Sequence, residues 1–227
     1  MRFNTALLHS NIMGDENTGA TLTPIYQSSA FYQTSAEQHE KLFNNKATGF
    51  SYTRINNPTV LAFENRMSSL ENGLVSVACA SGMAAITNAL LNIVCAGQEI
   101  IASTSLYGGS IDVFHDFEAF GIKTVFVDIS DEEAVRAAIN ENTRVIFAET
   151  IGNPKLDVVD IEKLSKLAHE YGLPLVMDNT VATAYLVKPI DFGADIVVNS
   201  TSKYINGNSN SISGVITDSG RFKWDKD

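Results

Sequence analysis

LPLVMDNTVATAYLVKPIDFGADIVVNSTSKY, residues 173–204, carries the pattern that decides the fold. It holds two short, almost wholly apolar runs, PLVMDN (174–179) and DIVVNS (195–200), separated by about one connecting element. A strand that reads as a continuous apolar run, without polar alternation, is covered on both faces. Each run ends abruptly in polar residues: Asp178-Asn179-Thr180 after the first, Ser200-Thr201-Ser202-Lys203-Tyr204 after the second. In open α/β sheets the carboxyl ends of the strands are where ligands bind, so these endings are the first place to look for chemistry.

The same texture extends outward. VSVACA (75–80), EIIAS (99–103), KTVFVDI (123–129), RVIFAET (144–150) and SGVIT (213–217) are further β-branched apolar runs. Helical stretches lie between them. Asn57 can cap a helix with Pro58 in its first turn, Val60, Phe63, Met67 and Leu70 recur at helical spacing, and Gly73 is the expected stop. Ser130 and Glu133 read as a capping-box pair before Val135, Ala138 and Ile139. Asp160 can cap a helix carrying Ile161, Leu164, Leu167 and Tyr171, ended by Gly172 with Pro174 just beyond. Strands alternating with helices predict an α/β domain with a mostly parallel seven-stranded sheet and helices on both faces. One link differs. TSKYINGNSNSI (201–212) is polar and has no helical stripe, and a parallel crossover needs a longer, usually helical, connection, so the last strand is expected to be antiparallel or irregularly joined. Residues 1–57 are rich in Thr, Ser, Asn and Gln yet carry Tyr26, Phe31, Tyr32, Phe43, Phe50 and Tyr52. That segment reads either as an arm that packs on something, another subunit included, or as a partly mobile terminus. Residues 58–227 form the expected large domain.

Composition narrows the function classes. With 16 Lys+Arg against 26 Asp+Glu in 227 residues the net charge is −10, which argues against a protein that grips nucleic acid by neutralising phosphates. A 44% hydrophobic and 19% charged chain is globular. No apolar run is long enough to span a bilayer, and the first residues lack the pattern of a secretory signal. The two cysteines, Cys79 and Cys95, form no metal or redox spacing. A reducing, cytoplasmic setting is the simplest expectation.

Taken singly, the strand endings have ordinary readings. Ser81-Gly82-Met83 after the first run is a capped helix start, and also a place where free backbone N–H groups and the helix dipole favour an anion. Leu106-Tyr107-Gly108-Gly109 is a turn, and the glycines can also push Tyr107 into a cleft to stack on a flat ring. Gly152-Asn153-Pro154 is a turn that presents an amide. Asp178 either caps the next segment or meets a cation, since a carboxylate at the end of a buried strand is costly without one. Lys203 is either a solvated lysine or an amine able to condense with a carbonyl compound, with the hydroxyls of Ser200 and Ser202 beside it to hold a phosphate. No G-x-G-x-x-G and no G-x-x-x-x-G-K-[ST] is present. Jointly, an anion site, a stacking aromatic, an amide, a buried acid and a lysine follow one another at successive strand ends. Bound pyridoxal phosphate requires that set.

The motifs SGMAA (81–85), LYGG (106–109), ETIGNP (149–154), MDNT (177–180) and NSTSKY (199–204), with Tyr52-Thr53-Arg54 ahead of Asn57-Pro58-Thr59, resemble the Cys/Met-metabolism family of pyridoxal-phosphate enzymes. The resemblance runs over essentially the whole chain. It implies the aspartate-aminotransferase-like fold (fold type I). By motif, Lys203 would hold the cofactor covalently and shuttle protons, Asp178 would face the pyridine nitrogen, Tyr107 would stack on the ring and Asn153 would reach its phenolic oxygen. Ser81, Gly82, Met83, Ser200 and Ser202 would bind the phosphate, and Tyr52 and Arg54 would reach the phosphate site of a neighbouring subunit. The aromatic arm would then be an inter-subunit element in a homo-oligomer: a dimer sharing its active sites, assembled as a tetramer. The stretches LFNNKATGFSYTRINNPTV (42–60) and ETIGNPKLDVVDIEKLSKLAHEYGLPLVMDNT (149–180) are most similar to O-acetylhomoserine sulfhydrylases, and Gly109 agrees, because methionine γ-lyases resemble LYGCT there. This implies γ-replacement on O-acetyl-L-homoserine by sulfide or a thiol, with methionine γ-lyase, cystathionine γ-synthase and a non-catalytic cofactor-binding fragment as alternatives. Ser202 stands where the family has threonine and Asn208 where histidine is common. The family's C-terminal domain, with its arginine for the substrate carboxylate, is expected to be missing from this chain.

Overall fold

The computed structural model describes residues 1–11 and 14–224. The chain divides after Arg66 into two compact units, residues 1–66 and 67–227.

The first unit holds two short helices, α1 (Phe3–His9) and α2 (Ala36–Phe43), and most of α3 (Pro58–Glu71). Ser35 caps α2 by accepting the Gln38 N–H. Irregular segments are tied by polar bonds: Asn57 Oδ1 accepts the Thr59 N–H at 2.9 Å, while its Nδ2 donates to the Tyr26 carbonyl at 3.0 Å. Asn57 therefore starts α3 as expected. The rings of Phe31 and Phe50 meet at 5.8 Å. Tyr32 and Phe43 are exposed.

The second unit is built on a seven-stranded sheet. Its strands are β1 (Val75–Cys79), β2 (Glu99–Ser103), β3 (Lys123–Val127), β4 (Thr143–Glu149), β5 (Leu175–Asp178), β6 (Ile196–Asn199) and β7 (Gly214–Asp218). Each of the seven apolar runs became a strand. The order is β1-β7-β6-β5-β4-β2-β3. Five strands, β3, β2, β4, β5 and β6, pair in parallel, and β7 runs antiparallel between β6 and β1. The helix-free link 201–212 therefore leads into an antiparallel strand, as its composition predicts.

Both faces of the central strands are covered, which explains their continuous apolar runs, while Val75 and Val77 of the edge strand β1 are exposed. Ile100, Val145, Phe147, Val176 and Val198 face one way, onto α4 (Gly82–Leu91) and α5 (Gly108–Asp116) through Ile86, Leu90 and Phe114. Their neighbours Ile101, Ile146, Leu175, Met177 and Val197 face the other way, onto α6 (Glu132–Ala138) and α7 (Ile161–Glu170) through Val135, Leu164 and Leu167. Full burial of such a side chain contributes roughly 1.5–3 kcal/mol, so these two layers supply most of the stabilisation. No helix among the described residues is long and apolar enough to cross a membrane.

Three local expectations are corrected. The cap of α6 is Asp131, whose carboxylate accepts the Ala134 N–H at 3.1 Å, while Ser130 turns back to donate to Asp128. An aspartate one residue nearer the helix takes the role expected of the serine. The stop after α3 is Asn72, left-handed at φ 60°, and not Gly73; a short amide side chain tolerates that conformation. Gly108 and Gly109 do not make a separate turn; they form the first turn of α5, with Tyr107 at its N-cap. α7 follows the sequence reading, with Asp160 accepting the Lys163 N–H at 3.0 Å and Gly172 beyond its end at φ 69°.

Candidate active site

A cavity of about 790 Å³ opens at the carboxyl ends of the central strands. It is lined by Ser81, Gly82, Met83, Tyr107, Asn153, Asp178, Ser200, Ser202 and Lys203, all in the second unit, and by Glu149, Thr180 and Tyr204, to which the sequence reading gave no role. Tyr52 and Arg54 belong to the first unit, where the Arg54 guanidinium lies over the Tyr52 ring at 5.4 Å.

The sheet assembles this wall. β4, β5 and β6 are adjacent and parallel, with Glu149 beside Asp178 and Asp178 beside Val198, so their last residues share one edge. Thr180 couples the two runs that decide the fold. Its N–H donates to Asp178 Oδ1 at 2.8 Å, and its hydroxyl oxygen accepts the Ser200 N–H at 2.7 Å. Asp178 is pushed above its ordinary value by burial, opposed by the Thr180 hydroxyl and N–H. Such a carboxylate is stabilised by a cation placed against it.

The helix start of α4 forms the second wall. Ser81 Oγ accepts the Ala84 N–H at 3.0 Å and the Ser81 carbonyl accepts the Ala85 N–H. The N–H groups of Gly82 and Met83 precede these bonds and carry the positive end of the helix dipole. Gly82 is required by close approach: a Cβ there would lie 2.4 Å from Ser200 Cβ. The seam between α4 and the lysine loop therefore closes against the small Ser200 side chain, with none from residue 82. Ser202 is more constrained than its motif suggests, because its hydroxyl donates to the Ser213 carbonyl at 3.1 Å and accepts the Ser213 N–H at 2.9 Å.

Lys203 is exposed to the cavity and lies in a turn, its N–H donating to the Ser200 carbonyl at 3.2 Å. Tyr107 is half-exposed on the cavity wall. A Cβ on residue 109 would lie 2.6 Å from Tyr107 Cε1, so glycine at 109 permits the ring's position. Glu149 is buried, and its oxygens accept the N–H of Tyr107 at 2.7 Å and of Asn153 at 3.2 Å. Burial pushes its carboxyl up to about 7; the two N–H donors oppose this, and the Asp178 charge adds to it. The sequence signal for Glu149 was an acid ending an apolar strand, the same signal that drew attention to Asp178.

An anion-binding helix start, an exposed lysine and a buried carboxylate around one cavity suit a cofactor that is both phosphorylated and electrophilic. Comparison with known proteins gives that class a name. The family model for Cys/Met metabolism PLP-dependent enzymes matches residues 4–227, and the chain belongs to that family. An O-acetyl-L-homoserine sulfhydrylase of Leptospira meyeri is 47% identical over 221 residues, covering 97% of this chain and 50% of the relative. An L-methionine gamma-lyase of Fusobacterium nucleatum subsp. polymorphum is 43% identical over 215 residues, covering 93% of this chain and 54% of the relative. Among solved structures, a Campylobacter jejuni protein assigned as an O-acetylhomoserine (thiol)-lyase superposes with a TM-score of 0.92 at 33% identity, covering 96% of this chain and 54% of its own, and carries N'-pyridoxyl-lysine-5'-monophosphate. The fold is thus that of the large domain of fold type I pyridoxal-phosphate enzymes. The chain spans about half the length of the curated relatives it matches.

Proposed function

We propose that the cavity binds pyridoxal 5'-phosphate and that the protein to which this chain belongs replaces the γ-substituent of O-acetyl-L-homoserine by sulfide or a thiol, giving homocysteine or a thioether and acetate. The observation that carries this is the meeting of Lys203, Asp178, Tyr107, Asn153 and the start of α4 around one cavity. The residues suit the cofactor chemically. Asp178 is a buried acid that accepts a hydrogen bond from Thr180, and a protonated ring nitrogen would supply a positive charge against it. The seam at Gly82 leaves only backbone N–H groups and small hydroxyls facing a phosphate.

When bound, pyridoxal phosphate supplies an aldehyde that condenses with amines and a protonated ring that draws electrons from the substrate's α-carbon. In this reading Lys203 anchors the cofactor through Nζ and, once released, takes the α-proton and moves it toward Cβ. Asp178 holds the ring-nitrogen proton. Tyr107 covers a ring face and Asn153 donates to the phenolic oxygen. Gly82, Met83, Ser81 and Ser200 receive the phosphate, with Ser202 contributing if its hydroxyl leaves the Ser213 carbonyl. Tyr52 and Arg54 complete the phosphate site of a neighbouring subunit, so the first unit acts as an inter-subunit arm in a cytoplasmic homo-oligomer. The space above Gly109, filled by the Tyr107 ring, favours the sulfhydrylase over a γ-lyase bearing a side chain at that position.

Mixing the chain with pyridoxal phosphate, O-acetyl-L-homoserine and sulfide tests the reading. A visible lysine-linked band with homocysteine release supports it. A band without turnover leaves a cofactor-binding module, and no band overturns the assignment of the cavity.

A further inference from the structure

Among the described residues, Glu149 is the one buried carboxylate on the cavity wall to which the proposed chemistry gives no task. Its position is specific. It ends β4, beside Asp178 at the end of β5 in parallel register. Its two oxygens do not both serve one loop. Oε1 accepts the N–H of Tyr107, at the end of the segment that leaves β2, and Oε2 accepts the N–H of Asn153, in the segment that leaves β4. Tyr107 and Asn153 both line the cavity, and Tyr107 has no side-chain cap of its own at the start of α5. A carboxylate held away from water is costly, and two backbone donors return only part of its lost hydration. A neutral staple would join the two loops without placing a second negative charge next to Asp178. Only a carboxylate, however, accepts with both ends at once; an amide must present a donor to one of the two N–H groups.

We propose that Glu149 is a positioning residue of the cofactor site, a two-ended brace that fixes the ring-covering Tyr107 and the phenolic-oxygen donor Asn153 relative to each other. The inference rests on reading the cavity as a pyridoxal-phosphate site. Asp178, Tyr107, Tyr204 and Lys203 line the same cavity, and Asp157 acts on Glu149 from beside it. These groups also titrate, so the effect of the brace is read as a difference between parent and variant.

The test uses the chain loaded with pyridoxal phosphate and compares the parent with Glu149→Gln and Glu149→Asp. Glu149→Gln sets a donor against one N–H, and Glu149→Asp keeps the charge but is too short to reach both loops. Each is expected to weaken cofactor retention about tenfold. Each is also expected to raise the pH midpoint of the bound cofactor's visible band, because a displaced Asn153 stabilises the deprotonated phenolic oxygen less well. Folded variants that keep the parent's midpoint and affinity overturn the brace, and so does full recovery by Glu149→Asp. Absence of a lysine-linked band in the parent overturns the reading of the cavity, and the brace with it. If neither variant folds, amide exchange in the parent decides: slow exchange at Tyr107 and Asn153, slowed further by the cofactor, supports the brace, and fast exchange at either overturns it.

Discussion

Glu71 Oε1 accepts a hydrogen bond from Asn199 Nδ2 at 3.0 Å, while Glu71 Oε2 and Asn199 Oδ1 are both buried with no partner among the described residues. A proton on Oε2 removes the charge from this buried carboxyl while Oε1 goes on accepting from the amide nitrogen. Burial, the largest influence, pushes Glu71 up to about 7 against the opposing bonds from Asn199 and Asn179. The acid therefore sits behind the cavity wall, since Asn179 follows Asp178 and Asn199 precedes Ser200.

Glu71→Gln supplies the neutral, isosteric partner permanently. In the parent the folded value is about 7 against an ordinary 4.5, so the folded state holds the proton more tightly. The stabilisation is complete below the unfolded value, falls as pH rises from about 4.5 to 7, and is absent above that. A shift of this size corresponds to about 3 kcal/mol between pH 4 and pH 8. Urea unfolding across that range should show the decline in the parent and a flatter profile in Glu71→Gln. Parallel profiles would place a charged Glu71 in the folded state.

Lys203→Ala should abolish borohydride trapping of pyridoxal phosphate. The parent chain, reduced with borohydride and weighed intact, should gain one pyridoxyl group and the variant none. A labelled variant would move the anchoring amine elsewhere. Asp178→Asn should still trap the cofactor, but turnover in a competent assembly should drop on the order of a hundredfold or more, because an amide cannot hold the ring proton by charge.

Gly82→Ala places a methyl 2.4 Å from Ser200 Cβ. Overpacking of this kind typically costs about 1–3 kcal/mol, and here it parts the helix start from the lysine loop. Thermal unfolding should shift downward and the dissociation constant for pyridoxal phosphate should rise together. A variant that loses affinity with an unchanged melting temperature would mean that the seam yields without strain.

Asp160→Ala removes the carboxylate that accepts the Lys163 N–H at the start of α7, a residue that does not line the cavity. Loss of such a cap costs about 1 kcal/mol. Denaturant unfolding should register that loss while cofactor affinity stays at the parent's value.

The strands were legible because burial on both faces leaves a continuous apolar run, and Lys203 and Asp178 stood out because polar residues end such runs abruptly. The strand order was not legible. Apolar runs state that Ile100 and Ile146 are buried, but not that β4 inserts between β2 and β5. Glu71 and Glu149 escaped for a related reason. Glu71 reads as the polar last residue of a helix, and Glu149 as part of a motif whose asparagine drew the attention. Their roles depend on partners 128 and 42 residues away. The caps at Asp131 and Asn72 differ from the reading by a residue each, within the usual uncertainty of helix ends.

The lysine loop has no helix to carry it; it is strung between two neighbouring strands, with Asn199 opposite Val215 where they pair. Placement of the amine is thus inherited from the pairing of apolar side chains beneath it. A slip of one position between β6 and β7 would displace an anchor by about 3.3 Å and invert the faces of the moved strand. An insertion within the valines and isoleucines of β6 or β7 should accordingly displace the amine even though it touches no residue of the cavity wall.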